Sequence, residues 1–99
     1  MVVMQEALEI RLQRLHIRSW RRGMKEMDLI LGHFAEGPMA LLSPADLDRY
    51  EALLQENDQD LYLWITSRIG GGQDAQGPAR HQAILAQVAA HAAGRLASS

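Results

Sequence analysis

Residues 43–57 read SPADLDRYEALLQEN, and this stretch decides the fold class. Ser43 is a side-chain acceptor placed where a helix begins, Pro44 suits the first helical position, and Asp46 falls in the first turn. Leu47, Tyr50, Leu53 and Leu54 then recur at three- and four-residue steps, which lines one helical face with apolar side chains. Downstream, NDQDLYLWITSR (Asn57–Arg68) starts another helix. Asn57 or Asp58 caps it, and Leu61, Trp64 and Ile65 point inward.

The same period extends upstream. Leu8, Leu12 and Leu15 form an apolar stripe on a first helix over about Gln5–Arg22, and Arg11, Arg14, Arg18 and Arg22 form a basic stripe beside it. Gly23 reads as the stop, being the residue that takes φ > 0 without steric cost. A second helix spans about Met24–Ala35, with Met27, Ile30, Leu31 and Phe34 inward and Glu26 and Asp28 in its first turn. EGP at 36–38 marks a turn. Beyond Arg68, Gly70–Pro78 reads as a flexible connection. A fifth helix runs from about Pro78 to Ala93 on Ile84, Leu85 and Val88, with Gly94 as its end and a loose tail over about 95–99. No stretch alternates long enough to be a strand. The expected fold is all-α, a compact five-helix bundle, with residues 1–99 forming a single domain. Its predicted core includes Leu12, Leu15, Met27, Phe34, Tyr50, Leu53, Leu61, Trp64 and Leu85.

Composition narrows the function classes. The net charge of −2 argues against a nucleic-acid binder. Six of the ten basic residues lie between Arg11 and Lys25, and six of the twelve acids between Asp46 and Asp60. One expectation is a dipolar surface that steers a protein partner; the plainer one is solvated helix faces of different sign. The absence of cysteine excludes disulfides, thiolate metal sites and a cysteine nucleophile, and fits a reducing compartment. No run reaches the roughly 20 apolar residues of a membrane span, and no secretory signal pattern opens the chain. The Arg-rich start imitates a mitochondrial presequence, but Glu6 and Glu9 interrupt it, so it reads as mature sequence.

Catalytic chemistry has no foothold in the pattern. His16, His33, His81 and His91 form no pair with ligand spacing and read as exposed or half-buried helix residues. The glycines at 70–72 lack the Lys-Ser/Thr of a phosphate loop and follow a helix. Asp58 and Asp60 resemble the start of a calcium loop but lack its glycine and distal glutamate, which leaves helix capping. The expectation is a protein with no catalytic residue, no metal site and no tightly bound cofactor.

One stretch stands out: RRGMKEMD, residues 21–28. It reads as a turn between two helices with charges suited to both dipoles. It reads equally as a docking corner. Gly23 bares backbone to a neighbouring surface, beside the forked donor of Arg22 and the carboxylate of Glu26.

The wider stretch RLHIRSWRRGMKEMDLILGHFA resembles the signature of the succinate dehydrogenase flavinylation factors. Their Arg-Gly-x-x-Glu motif is matched by Arg22, Gly23 and Glu26, with Arg21, Met24 and Asp28 agreeing beside it. A second block, LLQENDQDLYLWI (Leu53–Ile65), is similar to the family's second segment, so the resemblance covers about residues 11–69. It implies a five-helix fold and a chaperone-like assembly factor, in the bacterial cytoplasm or the mitochondrial matrix; the chain itself is expected to be a monomer. The implied partner is the flavoprotein subunit of succinate dehydrogenase or fumarate reductase, whose own chemistry attaches FAD covalently to one of its histidines. Arg21, Arg22, Gly23, Met24, Glu26 and Asp28 become the expected partner-binding residues, with Arg22, Gly23 and Glu26 exposed. The alternative left by the residues themselves is a helical interaction module acting on a different partner.

Overall fold

The computed structural model describes residues 6–71 and 77–98, and the side chains of the last helix as far as Arg95. Five α-helices follow one another: α1 (Leu8–Trp20), α2 (Lys25–Glu36), α3 (Pro44–Leu53), α4 (Asp58–Ile69) and α5 (Gln82–Ser98). Short 3-10 turns at Pro38–Leu41 and Ala79–His81 lead into α3 and α5. Among the described residues there is no strand.

The caps explain the boundaries. The Ser43 hydroxyl accepts from the Asp46 amide at 3.1 Å, and Pro44 opens α3. Asn57, not Asp58, caps α4, its side-chain oxygen accepting from the Asp60 amide at 2.9 Å. Gly94 does not end the last helix, which continues to Ser98. The cost of one interior glycine, about 1 kcal/mol, is small beside the alanine-rich helix formers around it. Gly23 is also not in the left-handed region; among the described residues only Gly71 and Gly77 have positive φ. The α1–α2 corner therefore turns without the conformation predicted for it. Residues 72–76 of the predicted connection, Gln5 and Ser99 lie outside the described residues.

α2 is the central element, packed against α1, α4 and α5. Leu15, Met27, Leu31, Phe34, Tyr50, Leu53, Leu61, Ile65, Ile84, Leu85 and Val88 form one buried cluster. Leu12 and Trp64, placed in the core from sequence, lie only partly buried at its edge. Tyr50 enters the core because its hydroxyl is satisfied there: it lies 2.7 Å from Ser19 Oγ. Ser19 in turn donates to the Leu15 carbonyl at 2.7 Å, so the tyrosine hydrogen points to Ser19. Burial pushes the Tyr50 hydroxyl pKa up to about 12.

Trp20 lies flat against the backbone of α2. A Cβ built on Gly32 would sit 2.3–2.5 Å from its ring atoms, so only glycine admits this approach. The indole N–H donates to Glu36 at 3.0 Å, and His33 meets the ring edge-on at 5.3 Å.

The segregated charges do not form a dipolar surface. Arg11 donates to Glu51 (3.0 Å) and Asp48 (2.8 Å), and Arg14 pairs with Glu51 (2.9 Å) and Glu6 (2.8 Å). Arg18 forks onto the side-chain oxygen of Gln55 at 3.0 and 3.1 Å. The basic stripe of α1 thus faces the acids of α3, and the steering expectation from sequence is replaced by internal pairing. Each such exposed pair is worth roughly 0–1 kcal/mol. The histidine expectation fails at one position, since His81 is buried, with 2% of its surface exposed.

Candidate functional site

The stretch 21–28 forms the corner between α1 and α2. α1 ends at Trp20, where the Arg21 amide makes its last bond to the Ile17 carbonyl at 3.0 Å. Arg22 and Gly23 follow in irregular backbone, and α2 starts at Lys25 with no side-chain cap from Met24. Asp28, one turn into α2, reaches back and accepts from the Arg22 amide at 2.5 Å. One acid of the first turn thereby satisfies an amide left over from the preceding helix.

Arg22 is not the exposed fork expected from the sequence. Only 10% of its side-chain surface is open, and every arm of the guanidinium is engaged. Nε donates to Asp58 Oδ1 at 2.7 Å, Nη1 to the Leu54 carbonyl at 2.9 Å and Nη2 to the Glu56 carbonyl at 2.9 Å. Those two carbonyls belong to the α3–α4 connection, where helix-terminal oxygens lack intrahelical partners. Arg22 therefore staples the first helical corner to the second, a job that its planar five-donor geometry suits.

The second oxygen of Asp58 takes the Gly23 amide at 3.0 Å. One carboxylate thus fixes both residues of the corner. Sequence reasoning gave Asp58 to helix capping, and no local signal corrects that, because its partners lie 35 and 36 positions away.

Gly23 itself is exposed. Its nearest obstacle to a Cβ is Asp58 Oδ2 at 3.7 Å, an ordinary contact distance. Neither φ nor internal packing requires glycine here. The bare backbone faces outward, where only another molecule can use it.

Arg21, Lys25 and Glu26, which flank Gly23, are exposed, and their side chains, like those of Glu9 and Arg95, have no hydrogen-bond or ion-pair partner among the described residues. Arg11, Arg14, Arg22, Arg49 and Arg80 all have carboxylate partners. Met24 is half-buried against the core and closes the inner side of the corner. A concavity of about 510 Å³ opens beside it, lined by Gly23, Met24, Asn57, Asp58, Gln59 and Asp60. On the other side, Glu26 stands at a second groove of about 400 Å³ whose walls include Leu29, Ile30, Tyr62 and Ile69. The site offers backbone, fixed dipoles and free charges of both signs. That is the equipment of a docking surface.

Comparison with known proteins agrees with the family resemblance. A family model described as the flavinator of succinate dehydrogenase matches residues 13–92, which take in the corner and parts of all five helices. The chain belongs to this family. Among curated relatives of the flavinator family, the mitochondrial succinate dehydrogenase assembly factor 2 of Scheffersomyces stipitis is 43% identical over 61 residues, 62% of this chain and 41% of the relative. The same-named protein of Debaryomyces hansenii is 39% identical over 61 residues, covering 62% of this chain and 43% of its own length. That of Meyerozyma guilliermondii is 43% identical over 61 residues, 62% of this chain and 45% of the relative. The chain therefore spans less than half the length of these flavinator-family relatives.

Proposed function

We propose that the protein is an assembly factor that docks on the flavoprotein subunit of succinate dehydrogenase, fumarate reductase or both, and promotes covalent attachment of FAD there. The observation that carries this reading is the family match across residues 13–92. The corner gives the match a physical surface: an exposed glycine whose own fold does not require it, held by Asp58 and ringed by unpaired Arg21, Lys25 and Glu26.

The factor contributes orientation. The flavoprotein supplies the histidine and the flavin, and the docked factor selects the arrangement in which they react. Arg22 acts from beneath, setting the direction of the Gly23 backbone, while Gly23, Glu26, Arg21 and Lys25 meet the partner. Met24 and Asp28 hold the inner side. The factor works as a monomer without a tightly bound cofactor, in the compartment where the flavoprotein matures. That compartment is the bacterial cytoplasm or the mitochondrial matrix.

The test is coexpression with the flavoprotein subunit, followed by denaturing electrophoresis and in-gel flavin fluorescence. A strong increase in covalent flavin is expected when the factor is present. Binding without any such increase would leave a helical docking module with a different consequence, and the flavinylation reading would be abandoned.

A further inference from the structure

His81 lies far from the corner in sequence, in the short turn that leads into α5. Its ring is buried, with Trp64 at a centroid distance of 6.2 Å. A leucine or phenylalanine would fill such a space at lower desolvation cost. The histidine makes one side-chain hydrogen bond among the described residues, between Nε2 and Glu56 Oε2 at 2.8 Å. The ionised carboxylate only accepts, so Nε2 carries the hydrogen, and Nδ1 is left buried without a partner. The polar capacity of the ring thus serves Glu56 alone.

Glu56 also accepts from Arg80 at 2.9 Å, and its carboxyl pKa is lowered, by His81 first and Arg80 second. Its backbone carbonyl takes Arg22 Nη2 at 2.9 Å. Pinning the Glu56 side chain therefore sets the carbonyl that aims the guanidinium. From there the chain runs through Arg22 Nε and Asp58 to the Gly23 amide, at 2.7 and 3.0 Å.

We propose that His81 is a positioning residue for the docking corner, acting through Glu56, Arg22 and Asp58 on the Gly23 backbone. The turn before α5 then has a functional role: it locks the α3–α4 connection against which the corner is built. The flavinylation arm of the test rests on the proposed function, whereas the arm that reads the Gly23 amide does not.

The experiment compares His81→Leu, which keeps the packing and removes the donor, with His81→Gln, whose amide nitrogen can replace Nε2. Glu56→Ala cuts the same link from the exposed side if the leucine variant fails to fold. For each folded variant, hydrogen exchange at the Gly23 amide is measured by NMR. Covalent-flavin yield is titrated against factor concentration. His81→Leu and Glu56→Ala are expected to speed exchange at Gly23 and to raise the half-maximal factor concentration about tenfold, the scale of one lost charge-assisted hydrogen bond. Yield at saturation is retained, and His81→Gln restores both readouts. Unchanged Gly23 exchange in His81→Leu and Glu56→Ala would overturn the proposal, as would a glutamine variant that behaves like leucine. Should the wild-type chain flavinylate nothing, the functional reading falls, and Gly23 exchange still decides the link.

Discussion

The carboxylate of Asp58 reaches across 36 positions to Arg22, with Nε of the arginine 2.7 Å from Oδ1. Its other oxygen holds Gly23. The corner residues therefore divide into an inner part that carries structure and an outer part exposed to a partner. Arg22 and Asp58 belong to the first, Gly23 and Glu26 to the second.

This division ranks the variants. Arg22→Ala strips Asp58 and two backbone carbonyls of their partner, and is expected to cost about 3 kcal/mol, within the range for breaking a buried charged pair. Gly23→Leu and Glu26→Gln alter exposed positions with no internal obstacle, and are expected to stay within about 0.5 kcal/mol of wild type. All three are expected to lower covalent-flavin yield. Melting temperature measured beside yield separates them: only Arg22→Ala loses both. If Gly23→Leu melts normally and flavinylates fully, the corner is a turn and not a docking surface.

Gly32→Ala tests the approach of Trp20 to α2. Overpacking costs of about 1–3 kcal/mol compete with about 1 kcal/mol gained in helix propensity. The ring lies within 2.5 Å of the new carbon, so the overpacking term prevails and urea unfolding shifts to lower concentration. An unchanged or higher midpoint would show that the ring moves aside freely.

Leu53 is fully buried in the central cluster. Leu53→Ala is expected to destabilise by about 2–5 kcal/mol, from lost burial and a residual cavity. Chemical denaturation gives the number directly.

Stability is expected to fall at both pH extremes for different reasons. Glu56, held by His81, Glu6, held by Arg14, and Asp46, held by Arg49, have lowered pKa values in the folded chain. The unfolded chain takes up protons first as pH drops through about 4, so stability present above that range is lost below it. His91, lowered chiefly by desolvation, adds an earlier loss below about 6.5, for the same reason of sign. On the alkaline side, the folded Tyr50 pKa of about 12 exceeds that of the unfolded residue. Stability is therefore complete below about 10 and declines as pH rises toward the folded value. Urea midpoints across pH test this, and Tyr50→Phe is expected to remove the part of the alkaline loss that Tyr50 causes.

Free FAD is expected to bind weakly or not at all. The sequence carries no phosphate loop, and the groove beside Glu26 is walled by Leu29, Ile30, Tyr62 and Ile69 with His33, Thr66 and Arg95, a lining with no glycine-rich turn to cradle a diphosphate. Calorimetry yielding a one-to-one complex at micromolar affinity or tighter would instead make the protein a flavin carrier.

The sequence by itself determined the helices and most of the core. Ser43, Pro44 and the spacing Leu47–Tyr50–Leu53–Leu54 are local signals, and period and capping act within a few residues. It also marked the corner, because a glycine among charges of both signs is visible in the sequence alone. The tertiary structure alone decided what each corner residue does. Arg22 turned inward because α3 and α4 present it with two free carbonyls and a carboxylate. Asp58 left the capping role because Asn57 filled it, and Gly32 became indispensable because Trp20 lies against it. His81 became buried because the turn before α5 carries it onto Glu56. Each of these depends on residues from separate helices meeting in space. Hydrophobic period selects which face turns inward, and it carries no record of which polar groups then come within hydrogen-bond reach of one another.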